Sequence, residues 1–404
     1  MSNTALFKEA LAGGEGVVRL APCWVPRSFL MPGGRLKLDP RDLYALGAHR
    51  GGIDERWFSS TTNAANGPGT PADEGLSYID LGGGKRALLK EAIETIGDEF
   101  LGPEVMRERG GWNVLCKFFD NLGPIPHHMH QSEEHAKLVG QRGKPEAYYF
   151  PPQYNFKDNN FPYTFMGLEP GTSKDDVRRC LERWNEGDNG ILYHSKAYKL
   201  HPGTGWQIDA GILHAPGSLV TYEPQVNSDV FGMFQSMVEG RAVPWDLLVK
   251  DVPPEHHHNL DFIIGMLDWD ANIDPEFAKH RLFHPTPVKP EAEMRDAGYS
   301  EKWVVYSTGH YSAKELTVQP RRSVVIRDAA AYGLIVTQGW GSLGKLEVET
   351  PSLIRYGQLT KDELFVSAAA AQRGVAVANR SDTEDLVILK HFGPGNPDAK
   401  GFVQ

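Results

Sequence analysis

Cysteine is nearly absent from this 404-residue sequence. Cys23, Cys116 and Cys180 stand far apart, too few and too scattered for a disulfide scaffold or a zinc finger. No apolar run approaches the roughly 20 residues that cross a bilayer, so a membrane-spanning helix is not expected. The opening stretch MSNTALFKEALAGGEGVVRL has neither a basic start nor an apolar segment. A signal peptide is therefore not expected, and a cytoplasmic location is. Positive charge is also scarce. The 42 Lys and Arg against 52 Asp and Glu leave a formal net charge of −10, whereas a nucleic-acid partner would call for a basic surface. Core-forming residues are not lacking: 40% hydrophobic and 10% aromatic content excludes wholesale disorder.

What the sequence does have is turn formers, 43 glycines and 28 prolines, set between many short apolar runs. WNVLCKFF (112–119), EAYYF (146–150), GWQIDAGI (205–212), SLVTYE (218–223), SVVIRD (323–328) and LVILKHF (386–392) have the length and the Val, Ile and aromatic content of strands. Helices are a minority. One is expected over 173–184, capped by Thr172 or Ser173, with Asp175 and Asp176 favouring its N-terminal dipole. Others are expected over 86–96 and near 274–282. GGGKR (82–86) lacks the spacing of a phosphate loop and reads as a flexible lead into the 86–96 helix. The length suggests two domains. The proline-rich, mixed-charge segment around 251–290 looks like a connection before a second strand-rich region. The expected architecture is mostly β, with residues 1–250, a connection at 251–295, and a second β domain at 296–404.

The stretch PIPHHMHQSEEHA (124–136) holds four histidines and two glutamates. His128 and His130 are two apart and would project from one face of a strand. Glu146 opens a strand after Pro145, and His214 ends one before a Pro-Gly turn. Three imidazoles and a carboxylate make a nitrogen and oxygen shell suited to one divalent ion, Zn²⁺ first, with Mn²⁺, Co²⁺, Ni²⁺ or Fe²⁺ also in range. Glu134, four residues after His130, is an alternative carboxylate. His127 and His135 read as loop or supporting residues, and His256, His257 and His258 as part of a solvated connection. Tyr148, Tyr149, Phe150 and Trp206 read mainly as barrel core.

The motifs are collinear with those of a known family. LCKFFDN (115–121), HMHQ (128–131), SEEHA (132–136), Lys144-Pro145-Glu146, DAGILHA (209–215) and EPQVNSD (223–229), with IDERW (53–57) upstream, resemble the type I phosphomannose isomerases (mannose-6-phosphate isomerases) of the cupin superfamily. The likeness spans roughly 20–230, and the family's C-terminal β domain fits 300–395. It implies a bicupin, two jelly-roll domains with a few inserted helices. It also implies that His130, Glu146 and His214 are metal ligands, with His128 standing where the family has a glutamine. Lys144 and Asp229 match catalytic-pocket residues of the family. Met233 falls where the family carries an arginine for the sugar phosphate. The implied reaction is metal-dependent aldose–ketose isomerisation of a hexose-type sugar, not necessarily phosphorylated. The implied partner is a small-molecule sugar, with a homodimer left open. A cupin dioxygenase using iron or nickel and a non-catalytic sugar-binding cupin are the alternatives.

Overall fold

Short apolar runs between turn residues can bury both faces only inside a stack of sheets, and that is where they lie. The computed structural model describes residues 3–155, 162–306 and 308–399. In these, the strands join into five sheets with antiparallel pairing, accompanied by eleven α-helices. The apolar runs become Val114–Phe119, Glu146–Tyr149, Gly205–Ile208, Thr221–Val226, Ser323–Ile326 and Leu386–Phe392.

Four of the sheets are layered. A five-stranded sheet containing His128–Met129, His214–Ala215 and Gly232–Met233 faces a seven-stranded one. Phe119, Tyr148, Met166, Trp206 and Ile208 fill the space between them. The other face of the seven-stranded sheet packs Phe58, Phe118 and Tyr222 against Ile335, Phe365 and Leu389 of a nine-stranded sheet. Beyond that, Leu334, Val366 and Ile388 meet Leu343 and Val377 of a four-stranded sheet. The chain's first strand, Val17–Ala21, belongs to the nine-stranded sheet, between Glu363–Val366 and Tyr78–Asp80. Among the described residues no helix is long and apolar enough to cross a membrane.

The expected helices are present with shifted ends. Lys174–Glu182 starts at a capping box in which Ser173 and Asp176 bond each other's backbone N–H. The helix expected over 86–96 runs from Leu89 to Leu101. Residues 86–88 pair instead with Tyr78–Asp80, so GGGKR is a hairpin turn and not a flexible lead. Gly82, Gly83 and Gly84 all have φ between +59 and +78, which only glycine adopts without cost. The third helix is short, Phe277–Arg281. In the 251–290 segment, Leu260–Gly265 buries Ile263 and Ile264 in the same apolar cluster as Phe231 and Met233.

The seven- and nine-stranded sheets are also joined by buried polar contacts. The Tyr222 hydroxyl lies 3.0 Å from Nδ1 of His391. His391 Nε2 and Ser59 Oγ close over Gly333, where a Cβ would come within 2.3 and 2.2 Å of them. Burial pushes the His391 imidazole down to about 3 from an ordinary value of 6.5. Below pH 6.5 the unfolded chain therefore gains a proton that the folded chain refuses, and stability falls with pH through that window. At pH 5 this single group costs about 2 kcal/mol. Urea unfolding at pH 7 and pH 5 should show that slope, and His391→Gln should remove about that much of it. An unchanged slope in the variant would mean that other groups set the acid limit.

Candidate metal centre

His128 and His214 sit opposite each other on neighbouring strands of the five-stranded sheet, with ring centroids 4.1 Å apart. His130, just past the end of the His128–Met129 strand, lies 5.1 Å from both rings. The candidate ligand atoms of the three histidines all lie within 4.8 Å of one another, and all three residues are buried. Glu146, the first residue of its strand, reaches across from the seven-stranded sheet. Its Oε2 is 3.0 Å from His130 Nε2, and its Oε1 is 3.1 Å from His214 Nε2.

The other ring nitrogens show what these atoms can do. Nδ1 of His128 lies 2.7 Å from the Pro126 carbonyl, Nδ1 of His130 lies 2.7 Å from that of Val230, and Nδ1 of His214 lies 2.9 Å from that of Ile212. A carbonyl only accepts, so each Nδ1 carries the hydrogen and each Nε2 keeps a bare lone pair. Burial pushes the His130 imidazole down to about 4 and holds His128 well below its ordinary range, which keeps both neutral. Burial works against ionising Glu146, but its charged surroundings, the Lys144 ammonium at 2.9 Å among them, keep the carboxyl well below its usual range. His214 Nε2 has no hydrogen-bond donor facing it, while Glu146 is held by the Lys144 ammonium, 2.9 Å from Oε2, and by the Tyr148 hydroxyl, which donates to Oε1. Three lone pairs and a carboxylate converge with no hydrogens of their own to share, a donor set that a divalent cation satisfies. The residues fit a metal ion.

Across the seven-stranded sheet, one charged side chain per strand extends from Glu146 in a row. Glu223, Lys117, Glu55 and Arg27 follow in the order of the strands. Lys117 Nζ lies 3.4 Å from Glu223 and 3.2 Å from Glu55, and Arg27 lies 3.1 Å from Glu55. Lys144 Nζ lies 2.9 Å from Glu146, 3.0 Å from His130 Nε2 and 3.7 Å from Glu223. Asp229 lines the same cleft, with its carboxylate already bonded. Arg27 grips its two oxygens at 3.0 and 3.1 Å, and the Ala65 N–H bonds it at 3.0 Å. Burial and the nearby Glu146 carboxylate push Glu223 up to about 8. The opposite wall is apolar and includes Phe29, Leu30, Ile125, Phe231 and Met233.

The remaining sequence candidates fall elsewhere. Glu134 is exposed on the Glu133–Lys137 helix, outside the histidine group. His135 bonds Ser132, which caps that helix. His127 is buried behind the site, with neither ring nitrogen hydrogen-bonded. His256 stacks on Phe262 at 4.0 Å, and His257 bonds the Val252 carbonyl. Met233 lies opposite His128 on the adjacent strand. Sequence reading gave no role to Arg27, Glu55, Lys117 or Glu223. The signal available was a lysine in the middle of the apolar run LCKFF, and the charged residues inside IDERW and EPQVNSD.

No family model matches the chain, and no curated protein matches it. Solved structures do. The mannose 6-phosphate isomerase from Bacillus subtilis is 17% identical, with 93% of this chain and 99% of that one aligned at a TM-score of 0.60. A zinc-bound mannose 6-phosphate isomerase is 13% identical over 94% of this chain and 100% of its own, also at 0.60. A mutant of phosphomannose isomerase from Salmonella typhimurium matches over the same shares at 13% identity and 0.59. At such identities the likeness is one of architecture: this chain has the fold of the mannose 6-phosphate isomerases.

Proposed function

We propose that this protein is a metal-dependent aldose–ketose isomerase acting on an unphosphorylated hexose-type sugar. In this reading each pair of facing sheets is a cupin barrel. Residues 1–250 supply the catalytic domain, apart from Val17–Ala21, Tyr78–Asp80 and Arg86–Leu88, which join the nine-stranded sheet; 251–295 is a connection and 296–404 a C-terminal cupin-like domain. The observation that carries the reading is the convergence of three Nδ1-anchored imidazoles with Glu146 at one end of a row of buried charges.

His128, His130, Glu146 and His214 would hold one divalent ion, Zn²⁺ foremost. When bound, such an ion polarises a sugar carbonyl and steadies the charge of an enediolate. The Lys144 ammonium, beside Glu146, donates to an oxygen at C1 or C2 as negative charge grows there. Glu223 is the group we assign to carry the proton between C1 and C2. Its carboxyl is buried, lies within 3.7 Å of both Lys117 and Lys144, and has a pKa pushed up to about 8, near working pH. Asp229 acts through Arg27, holding the guanidinium in the pocket wall.

Support for an unphosphorylated substrate comes from the charge pairing. Arg27 is shared between Asp229 and Glu55, Lys117 between Glu55 and Glu223, and Lys144 between Glu146 and Glu223. Each lining cation is thus already engaged, and Met233 adds only a thioether. A phosphate dianion entering this cleft would give up its hydration without a free guanidinium in return.

The test is to incubate the metal-reconstituted protein with free and phosphorylated aldoses in D₂O and follow them by proton NMR. Metal-dependent ketose formation is expected, with kcat/KM for free mannose or a related aldose above that for the 6-phosphate. A preference of about a hundredfold for the phosphate, worth about 2.7 kcal/mol, would sink the unphosphorylated assignment. Oxygen uptake in place of isomerisation would make the protein a dioxygenase, and sugar binding without turnover would make it a binding protein.

A further inference from the structure

The free space beside His128, His130 and Glu146 is small, about 40 Å³. A second chamber of about 420 Å³ lies next to it, bounded by residues 28–29, 49–50, 65–69, 246–247 and 250. That volume lies in the ordinary range for small-molecule sites, roughly 300–1,000 Å³. By the same measure the inner cleft is about a tenth of the chamber beside it, so it is a place for one end of a sugar and not for the whole of a larger one. Among the described residues, only Phe29 and Phe231 line both spaces, and their rings stand 5.9 Å apart at 56°. They are the partition.

We propose that the outer chamber is a second binding subsite, which takes a neutral glycosyl residue attached to the aldose whose C1–C2 end lies in the inner cleft. The claim rests on the isomerase reading for which end of the sugar enters first. Three observations favour a neutral carbohydrate. The cations of the chamber are already engaged: Glu74 grips Arg50 at 2.6 and 2.8 Å, and Lys250 bonds the Asp251 carboxylate and the Asp229 carbonyl. The Phe29 and Phe231 rings offer apolar faces to sugar C–H groups, while Ser28 and Asp246 supply hydroxyl and carboxylate partners for hydroxyls. The glycine-rich side is open. Gly67 and Gly69 have φ of +79 and +84, and a Cβ built on either meets nothing within 4 Å.

The chamber is also tied to the inner row of charges. Arg27 bonds Asn66 Oδ1 at 2.9 Å, and Asp229 accepts from the Ala65 N–H. The loop that walls the chamber is therefore held by the same two residues that end the charged row.

Calorimetric titration of the metal-loaded protein with mannose, glucose, mannobiose and cellobiose tests this. At least one disaccharide should bind tenfold or more tightly than its monosaccharide. Leu247→Trp, which fills the chamber away from the charged row, should abolish that advantage and leave monosaccharide affinity within about twofold. Pro68→Trp, entering from the glycine-rich side, should do the same if Leu247→Trp fails to fold. Equal affinities for mono- and disaccharides in the unmodified protein would overturn the subsite. So would a loss that falls equally on both sugars, or no loss in either folded variant. Because binding is what is read, failure of the isomerase reading shows up separately, as selective disaccharide binding without turnover.

Discussion

His214→Ala should leave a folded protein that no longer retains its metal and turns over no sugar. The strand that carries His214 pairs on both sides, with His128 and with Met166 and Phe165, so the backbone is held without the imidazole. The ring itself makes one hydrogen bond, from Nδ1 to the Ile212 carbonyl, and its loss removes one of three converging nitrogens. Loss of a group that merely orients a ligand typically lowers metal affinity ten- to a hundredfold, and loss of a ligand should exceed that. Metal content after dialysis, measured beside circular dichroism, separates loss of the site from loss of the fold. The carboxylates give the internal control. Glu146→Gln should come close to the His214→Ala loss, while the exposed Glu134→Gln should keep metal and activity within about twofold. Full metal occupancy in both His214→Ala and Glu146→Gln would end the metal-centre reading. Damage confined to Glu134→Gln would move the carboxylate ligand to the helix.

The contrast between those two glutamates shows how far the sequence could be read. His128, His130 and His214 were visible as a pattern because two stand two residues apart on one strand face and the third ends a strand before a Pro-Gly turn. Spacing alone could not decide between Glu134 and Glu146. Glu134 turns out to lie on a helical turn capped by Ser132, whereas Glu146 opens a strand of the facing sheet. The charged row was harder to see. Arg27, Glu55, Lys117 and Glu223 come from strands spread over some two hundred residues, and only the cross-strand register sets Glu223 opposite Lys117. A charged residue in an apolar run marks a position as unusual without naming its partner. Strand positions were legible because composition and turn residues act locally. The pairing of Val17–Ala21 with Glu363–Val366 was not, since nothing local in either segment specifies a partner nearly 350 residues away.

That long-range pairing leads to the second large effect, expected at Arg56. Its guanidinium bonds both oxygens of Asp362 at 2.8 Å and reaches Glu363 at 3.3 Å, joining the seven-stranded sheet to the nine-stranded one. All three side chains are at most 2% exposed. Burial pushes Glu363 up to about 8, so at neutral pH that second partner is largely uncharged. Arg56→Met leaves Asp362 as a buried carboxylate without a counter-charge, and such a loss costs about 3–5 kcal/mol. Part of the change is not electrostatic, because the guanidinium also lies 5.5 Å from the Trp24 and Phe58 ring centroids, where methionine can still pack. Two further measurements isolate the ionic part. Adding Asp362→Leu should restore most of the lost stability, since replacing both partners removes the orphaned charge. Lowering the pH from 8 to 5 should narrow the gap between Arg56→Met and the unmodified protein. An unpaired buried carboxyl has a raised folded-state pKa, and its protonated form is the one the fold tolerates as pH falls. A loss below about 1 kcal/mol at both pH values would show that apolar packing alone holds the two sheets together. A gap independent of pH would place the cost in the altered packing around Trp24 and not in the stranded charge.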